Sequence, residues 1–289
     1  NPGEAVFCNK VMPAVGELNA APSQEAVRDL FIKNILSAKG RDELAATLST
    51  EIVPTPLAVF EAARLLSQGT KKTAGLGELM LYDVGGATTD VYSMSEGLPT
   101  RSNVFMRGLK QPFAKRTVEG DLGLRYSLAS LAEAADVVNL ADSLGIDQAE
   151  VENWLGVCRA NPGWVPQNGC LEKRIDDALA GAAVRLAAAR HCGTIEAFFT
   201  VMGQAFAQTG KDLGGVEALI GTGGPIINAE KPAEVLAAGV YKLEDTNLLK
   251  PIKPKLMIDA KYIIAAMGLL GRLEPEAALG IMLDEIKAA

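Results

Sequence analysis

Apolar positions along the chain follow two alternating spacings. Residues 78–84 (Glu-Leu-Met-Leu-Tyr-Asp-Val) form a nearly continuous apolar run and residues 90–94 an alternating one, separated by Gly85-Gly86-Ala87-Thr88-Thr89. That pattern predicts a strand, a turn and a second strand. Ala5-Val6-Phe7-Cys8 predicts an earlier strand, followed by a Pro/Gly-punctuated loop and a helix capped by Ser23, carrying Val27, Leu30, Phe31 and Ile35 to a stop at Gly40. Pro54-Thr55-Pro56 opens another helix, in which Leu57, Phe60, Ala63, Leu65 and Leu66 run to Gly69. Helical spacing returns over 127–144, 148–159 and 171–191, with Gly145 and Gly193 as stops, and predicts a largely helical insert. A strand at 216–220 runs into Gly221-Thr222-Gly223-Gly224-Pro225, a short helix starts at Pro232, and helices follow over 259–270 and 274–286. Strands alternating with helices predict an α/β architecture rather than a bundle.

The composition changes this picture mainly by exclusion. Of 289 residues, 48% are hydrophobic and 22% charged, which is globular usage and enough chain to bury a sizeable core. A net charge of −7 repels phosphate backbones and anionic headgroups, so nucleic acid and membrane surfaces are poor partners. Cys8, Cys158, Cys170 and Cys192 are scattered without a C-x-x-C pair, which fits neither a disulfide framework nor a zinc cluster and points to a reduced, cytoplasmic setting. The longest apolar run, 262–271, is well short of the roughly 20 residues that span a bilayer. The opening Asn1-Pro2-Gly3-Glu4 has neither initiator Met nor basic leader and is expected to be the cut end of a longer chain.

Two glycine-rich stretches carry candidate chemistry. In Asp83-Val-Gly85-Gly86-Ala87-Thr88-Thr89-Asp90, a carboxylate ends a buried strand, and bare backbone with two hydroxyls follows. A buried carboxylate is costly unless paired or hydrated through a metal, and glycines let backbone N–H groups approach phosphate oxygens, so the arrangement suits Mg-nucleotide. The plainer alternative is a tight glycine hairpin whose Asp accepts turn hydrogen bonds. Gly221-Thr222-Gly223-Gly224 offers bare backbone at a strand end, which fits either a nucleotide contact or an ordinary strand-to-helix turn. Among other polar residues, His191 reads as a helix C-terminal residue meeting exposed carbonyls and Asp176-Asp177 as a solvated helix face. Glu119 and Asp121 read as either a ligand-adjacent turn or a structural one, and Lys211-Asp212 as either a surface turn or a nucleotide contact.

Taken together, the two stretches resemble the second phosphate loop and the adenosine loop of the actin, sugar kinase and heat-shock ATPase superfamily. The segments 52–63 and 259–270 are similar to its two connecting helices, and all four occur in the superfamily's order. More closely, Asn9-Lys-Val-Met-Pro13, Pro54-Thr-Pro56, the Asp83–Asp90 string, Glu119-Gly-Asp121, Gly210-Lys-Asp-Leu213 and Gly221-Thr-Gly-Gly224 resemble the MutL family of glutamate mutase accessory proteins, unrelated to the mismatch-repair protein of that name.

The resemblance implies an actin-like, ribonuclease H-like ATPase fold: residues 1–76 the end of a first lobe, 77–250 a complete second lobe, and 251–289 returning to the first. It implies ATP and Mg as cofactors. Asp83 would hold the metal through water and serve catalysis, Gly85, Gly86, Ala87, Thr88 and Thr89 would cover the β- and γ-phosphates, and Gly221, Thr222, Gly223 and Gly224 would lie by the ribose and α-phosphate. The implied partner is an adenosylcobalamin-dependent mutase, served by a nucleotide-driven accessory or reactivating factor. Two departures stand out: the superfamily's first phosphate loop would precede residue 1, and Val53 stands where heat-shock members place an acidic residue. A non-hydrolysing scaffold and a small-molecule kinase of the same fold are the rival readings.

Overall fold

A computed structural model of the chain describes residues 5–20, 22, 23, 25–27, 29, 30, 53–201 and 203–289. Helix α1 (Thr55–Gln68) begins after Pro54, with Pro56 in its first turn, where a missing N–H costs nothing. It ends at Gly69, whose φ of +70° turns the chain while its N–H is donated to Leu65 O at 2.8 Å. The hairpin of β1 (Leu79–Val84) and β2 (Thr89–Met94) follows as the spacing predicts. Strands β3 (Val104–Arg107) and β4 (Ala114–Glu119) come next, then helices α2 (Leu128–Ala135), α3 (Val137–Leu144), α4 (Gln148–Ala160) and α5 (Leu171–His191). The chain continues through β5 (Thr194–Thr200), β6 (Gly203–Thr209), β7 (Ala218–Thr222), α6 (Gly224–Ile227), α7 (Pro232–Ala237) and β8 (Lys255–Ile258). It finishes with α8 (Ile264–Gly271), α9 (Pro275–Glu285) and the short β9 (Lys287–Ala288).

The main sheet has the order β4-β2-β1-β7-β8-β9. Its centre is parallel, β1 with β7 and β7 with β8, and the outer pairs are antiparallel. Because side chains alternate across a strand, β1 supplies two cores. Met80, Tyr82 and Val84 pack with Ile175, Leu179, Val184 and Ala187 of α5 and with the α2–α4 helices. Leu79 and Leu81, with Tyr92 and Ile220, pack on the other side with Val59, Ala62, Ala63 and Leu66 of α1, Ile264 of α8 and Leu279 and Met282 of α9. The protein is therefore an α/β fold with helices on both faces of a mixed sheet.

Several expectations are corrected. Residues 5–8 form no strand and are exposed. Ser23 lies within a helical turn and donates to Ala20 O at 2.8 Å instead of capping, and the continuation to Gly40 lies outside the described residues. The 127–144 helix is two helices, broken at Asp136, which takes φ +62° and accepts from Val138 N–H and Asn139 N–H at the start of α3. The insert is not mainly helical throughout: β3, β5 and β6 form a second sheet in the order β3-β6-β5, and β4 joins the main one. The strand expected at 216–220 is shifted to 218–222.

Candidate functional site

The central strands β1, β7 and β8 run in the same direction, and their C-terminal ends carry polar residues in one row. Asp83 lies opposite Asp90 on β2 and opposite Thr222 on β7. Gly221 pairs with Ile258, which brings Thr222 level with Asp259, and the Thr222 hydroxyl donates to Asp259 Oδ2 at 3.0 Å. Two-residue alternation from Leu81 and Tyr92 places Asp83 and Asp90 on the face covered by α1 and α8. Helix α1 runs antiparallel to β1. Its C-terminal turn is tied to the start of that strand by Leu76 N–H on Leu66 O and by Ser67 Oγ on Gly77 O, so its N-terminus lies towards the Asp83 end.

The three carboxylates differ in what satisfies them. Asp90 is held by Arg116, with Nε at 2.7 Å and Nη2 at 2.6 Å, and accepts from the Thr88 hydroxyl at 3.3 Å. Asp259 caps the start of α8, accepting from Ile263 N–H at 2.9 Å and Ile264 N–H at 3.1 Å. Asp83 has no hydrogen-bond or ion-pair partner among the described residues. Burial, then repulsion from Asp90 and Asp259, pushes its pKa up to about 6, against the opposing pull of Arg116. Burial also raises Asp259, while its hydrogen bonds oppose that shift.

The Gly85–Thr89 turn is clamped from behind. Gly85 O accepts from Leu124 N–H at 3.1 Å, Gly86 O from Arg125 N–H and Tyr126 N–H at 2.8 Å each, and Ala87 O from Ser127 Oγ at 2.7 Å. A Cβ on Gly123 would stand 2.2 Å from the carbonyl carbon of Ala87, so only glycine allows this approach. The clamp is fastened to α5 by Arg125, whose Nη1 and Nη2 reach the two oxygens of Asp176 at 2.8 and 3.0 Å. With the carbonyls drawn inward, the N–H groups of Gly86, Ala87 and Thr88 have no acceptor among the described residues. Outward-facing amides of this kind form a concavity suited to an anion.

The second glycine stretch meets the strand end that leads into this turn, through Gly223. At Gly223, φ is +88°, and a Cβ would lie 2.2 Å from Val84 O and 2.8 Å from Asp83 Oδ1. The two glycine-rich stretches, whose nearest members Asp90 and Gly221 are 131 positions apart, are thus in contact at Asp83. The Thr89 hydroxyl is turned inward to Leu122 O at 2.7 Å, and the Thr222 hydroxyl is engaged by Asp259.

Other candidates take structural roles. Asp176 is buried in its pair with Arg125, contrary to a solvated face. Lys211 and Asp212 are also buried: Lys211 Nζ donates to Ser95 O and Phe113 O at 2.8 and 2.7 Å, and Asp212 accepts from Thr100. Burial and the nearby Lys115 lower Lys211 to about 8. The ring nitrogens of His191 contact the hydroxyls of Thr117 and Ser93, each at 2.8 Å, so its imidazole is occupied by side chains; burial and two lysines keep its pKa well below the ordinary value. Glu119 and Asp121 both receive Arg190. Asp259 is the residue whose partnership spacing alone misses; its signal is a lone acid between Leu-Met-Ile and an apolar helix.

Among the described residues no helix is long and apolar enough to cross a membrane, and no group of three or more His, Cys, Asp or Glu is arranged to hold a metal ion. In comparison with known proteins, the family model described as "MutL protein" matches residues 1–286. A curated protein from Clostridium tetanomorphum, described as "Protein MutL", is 43% identical over 272 residues, covering 94% of this chain and 59% of that relative. The chain therefore spans less than two thirds of the relative's length.

Proposed function

This chain belongs to the MutL family, and from that premise we propose that it is the nucleotide-binding part of an accessory protein for an adenosylcobalamin-dependent mutase of the glutamate mutase or aminomutase type. The observation that carries the reading is Asp83: a partly buried carboxylate left without a partner between two acids that each have one. An unpaired acid in that position is suited to a cation, and the free amides of the adjoining turn are suited to the anion that accompanies it. Mg is usually held by phosphates and water with one or two carboxylates, a role that Asp83 can fill alone.

In this reading the fold is that of the actin-like ATPases, with residues 1–76 belonging to a first lobe, 77–250 forming the second and 251–289 returning towards the first. Asp83 orients Mg-bound water. In the Gly85–Thr89 turn the free N–H groups of Gly86, Ala87 and Thr88 receive the β- and γ-phosphates, with Gly85 and Thr89 flanking them, and Gly221, Thr222, Gly223 and Gly224 border the ribose and α-phosphate. Bound Mg·ATP supplies the phosphoanhydride whose presence or loss distinguishes two states of the protein. A ligand drives a partner only through its differential affinity for such states, so the affinity for the mutase must differ between them.

The test is to inactivate the cognate mutase by turnover, add the full-length accessory protein with free adenosylcobalamin, and compare recovery with ATP, with ADP and without nucleotide. Recovery is expected with ATP above the other two. Equal recovery in all three leaves the scaffold reading, which Val53 at the head of α1 favours; no association in any of them rejects the mutase as partner.

A further inference from the structure

The turn that leads from β8 into α8 contains a residue that the fold does not require. Tyr262 adopts φ +55°, a left-handed conformation that a side chain with a Cβ rarely takes, and its N–H is fixed on Asp259 O at 3.0 Å. Only two other non-glycine residues among those described share a positive φ, Asn103 and Asp136, and Asp136 uses it to cap α3. Tyr262 makes no such cap, since Asp259 already accepts the N–H groups of Ile263 and Ile264. Nor does its ring hold the core together, because the residue is 56% exposed. Strain kept at a position with no packing return is characteristic of residues that serve a ligand.

We propose that Tyr262 is a ligand-contacting residue of the Asp83 site, its phenol donating a hydrogen bond to an anionic oxygen of the bound phosphate compound. The proposal rests on the nucleotide reading above. The phenol lies within electrostatic reach of both Asp83 and Asp259. A phenol keeps its proton throughout the neutral range, so the group acts as a donor. Asp83 and Asp259 are acceptors and repel an approaching phosphate, so a neutral donor near them offsets part of that repulsion without adding charge.

Two variants separate the phenol from the backbone. Tyr262→Phe keeps ring and strain but loses the donor; Tyr262→Gly removes the ring and relieves the strain, because glycine occupies the left-handed region freely. The measurements are calorimetric affinity for Mg·ADP and the thermal midpoint of the full-length protein. Tyr262→Phe is expected to melt with the wild type and to bind about 10-fold more weakly, the usual scale for a hydrogen bond to a charged group. Tyr262→Gly is expected to melt no lower than the wild type and to lose at least as much affinity. Wild-type affinity in either variant overturns the proposal while leaving the nucleotide reading intact. A lowered midpoint with unchanged affinity in Tyr262→Gly shows a structural residue and overturns it too. If the full-length wild-type protein binds no Mg·ADP, the nucleotide reading itself fails and Tyr262 falls with it.

Discussion

Replacing Asp83 with Asn should make the protein more stable, and only above a certain pH. In the folded chain the carboxyl titrates near 6, against an ordinary value of 3.8, because burial, Asp90 and Asp259 all disfavour its charge. A folded pKa above the unfolded one means that the folded state binds the proton more tightly between those values. Stability is then greatest below about pH 4, declines as pH rises to about 6 and is level beyond. Two units at about 1.4 kcal/mol each set an upper figure of about 3 kcal/mol; partial solvent access brings the expectation to about 1–3 kcal/mol. Asn cannot ionise and escapes the decline. Urea or thermal unfolding of both proteins should coincide near pH 4 and diverge by pH 8, the variant melting higher by several degrees. A variant that is less stable at pH 8, or equally displaced at both pH values, would show that Asp83 serves the fold and would refute the assignment of its unpaired charge to a ligand. In the same preparation, Mg·ADP affinity should fall by 10-fold or more.

Three further substitutions test the supports of the site. Gly268→Ala places a Cβ 1.9 Å from Ala58 O, where α8 and α1 touch backbone to backbone; prising them apart should cost about 1–3 kcal/mol in a denaturant titration. Asp176→Ala strands the Arg125 guanidinium within the clamp and should cost about 3–5 kcal/mol, and Asp177→Ala, which leaves the buried Lys173 ammonium without its i,i+4 partner, should cost a comparable amount in the same unfolding measurement. Gly223→Ala drives a methyl into Val84 O and Asp83 Oδ1, and calorimetry should show nucleotide affinity lost together with several degrees of thermal stability.

The hairpin and α1 are readable from the chain because their signals are local: the glycine turn between apolar strands, and Pro54 and Gly69 at the helix ends. The expected members of the site, Asp83 with the two glycine stretches, are brought into contact through pairing of β1 with β7. What stays hidden depends on pairings with no local signature. Strand β8 has four residues behind a proline-rich approach, so Asp259 reads as the start of a helix when it directly follows a strand and the helix begins at Ile264. The polar β4 alternates weakly and gains its place from β2, where Arg116 meets Asp90. Asp176 looks solvated because its partner has no place in the local sequence; only the fold brings Arg125 to it across 51 positions. His191 and Lys211 follow the same rule: the partners of His191 are on β2 and β4, and Lys211 meets the carbonyls of Ser95 and Phe113 just outside those strands.

The clamp behind the glycine turn also limits how far the motif can travel. Gly85–Thr89 owes its outward amides to donors at 124–127 and to the glycine at 123, which are delivered by a different stretch of chain. Transplanted into another hairpin, those five residues would keep their spelling and lose their polarity, the carbonyls being free to rotate outward. The transferable unit is the turn together with residues 119–127 and a helix that can anchor Arg125. Insertions between 121 and 127 should not be tolerated in a library screen, because they would carry the donors away from the turn.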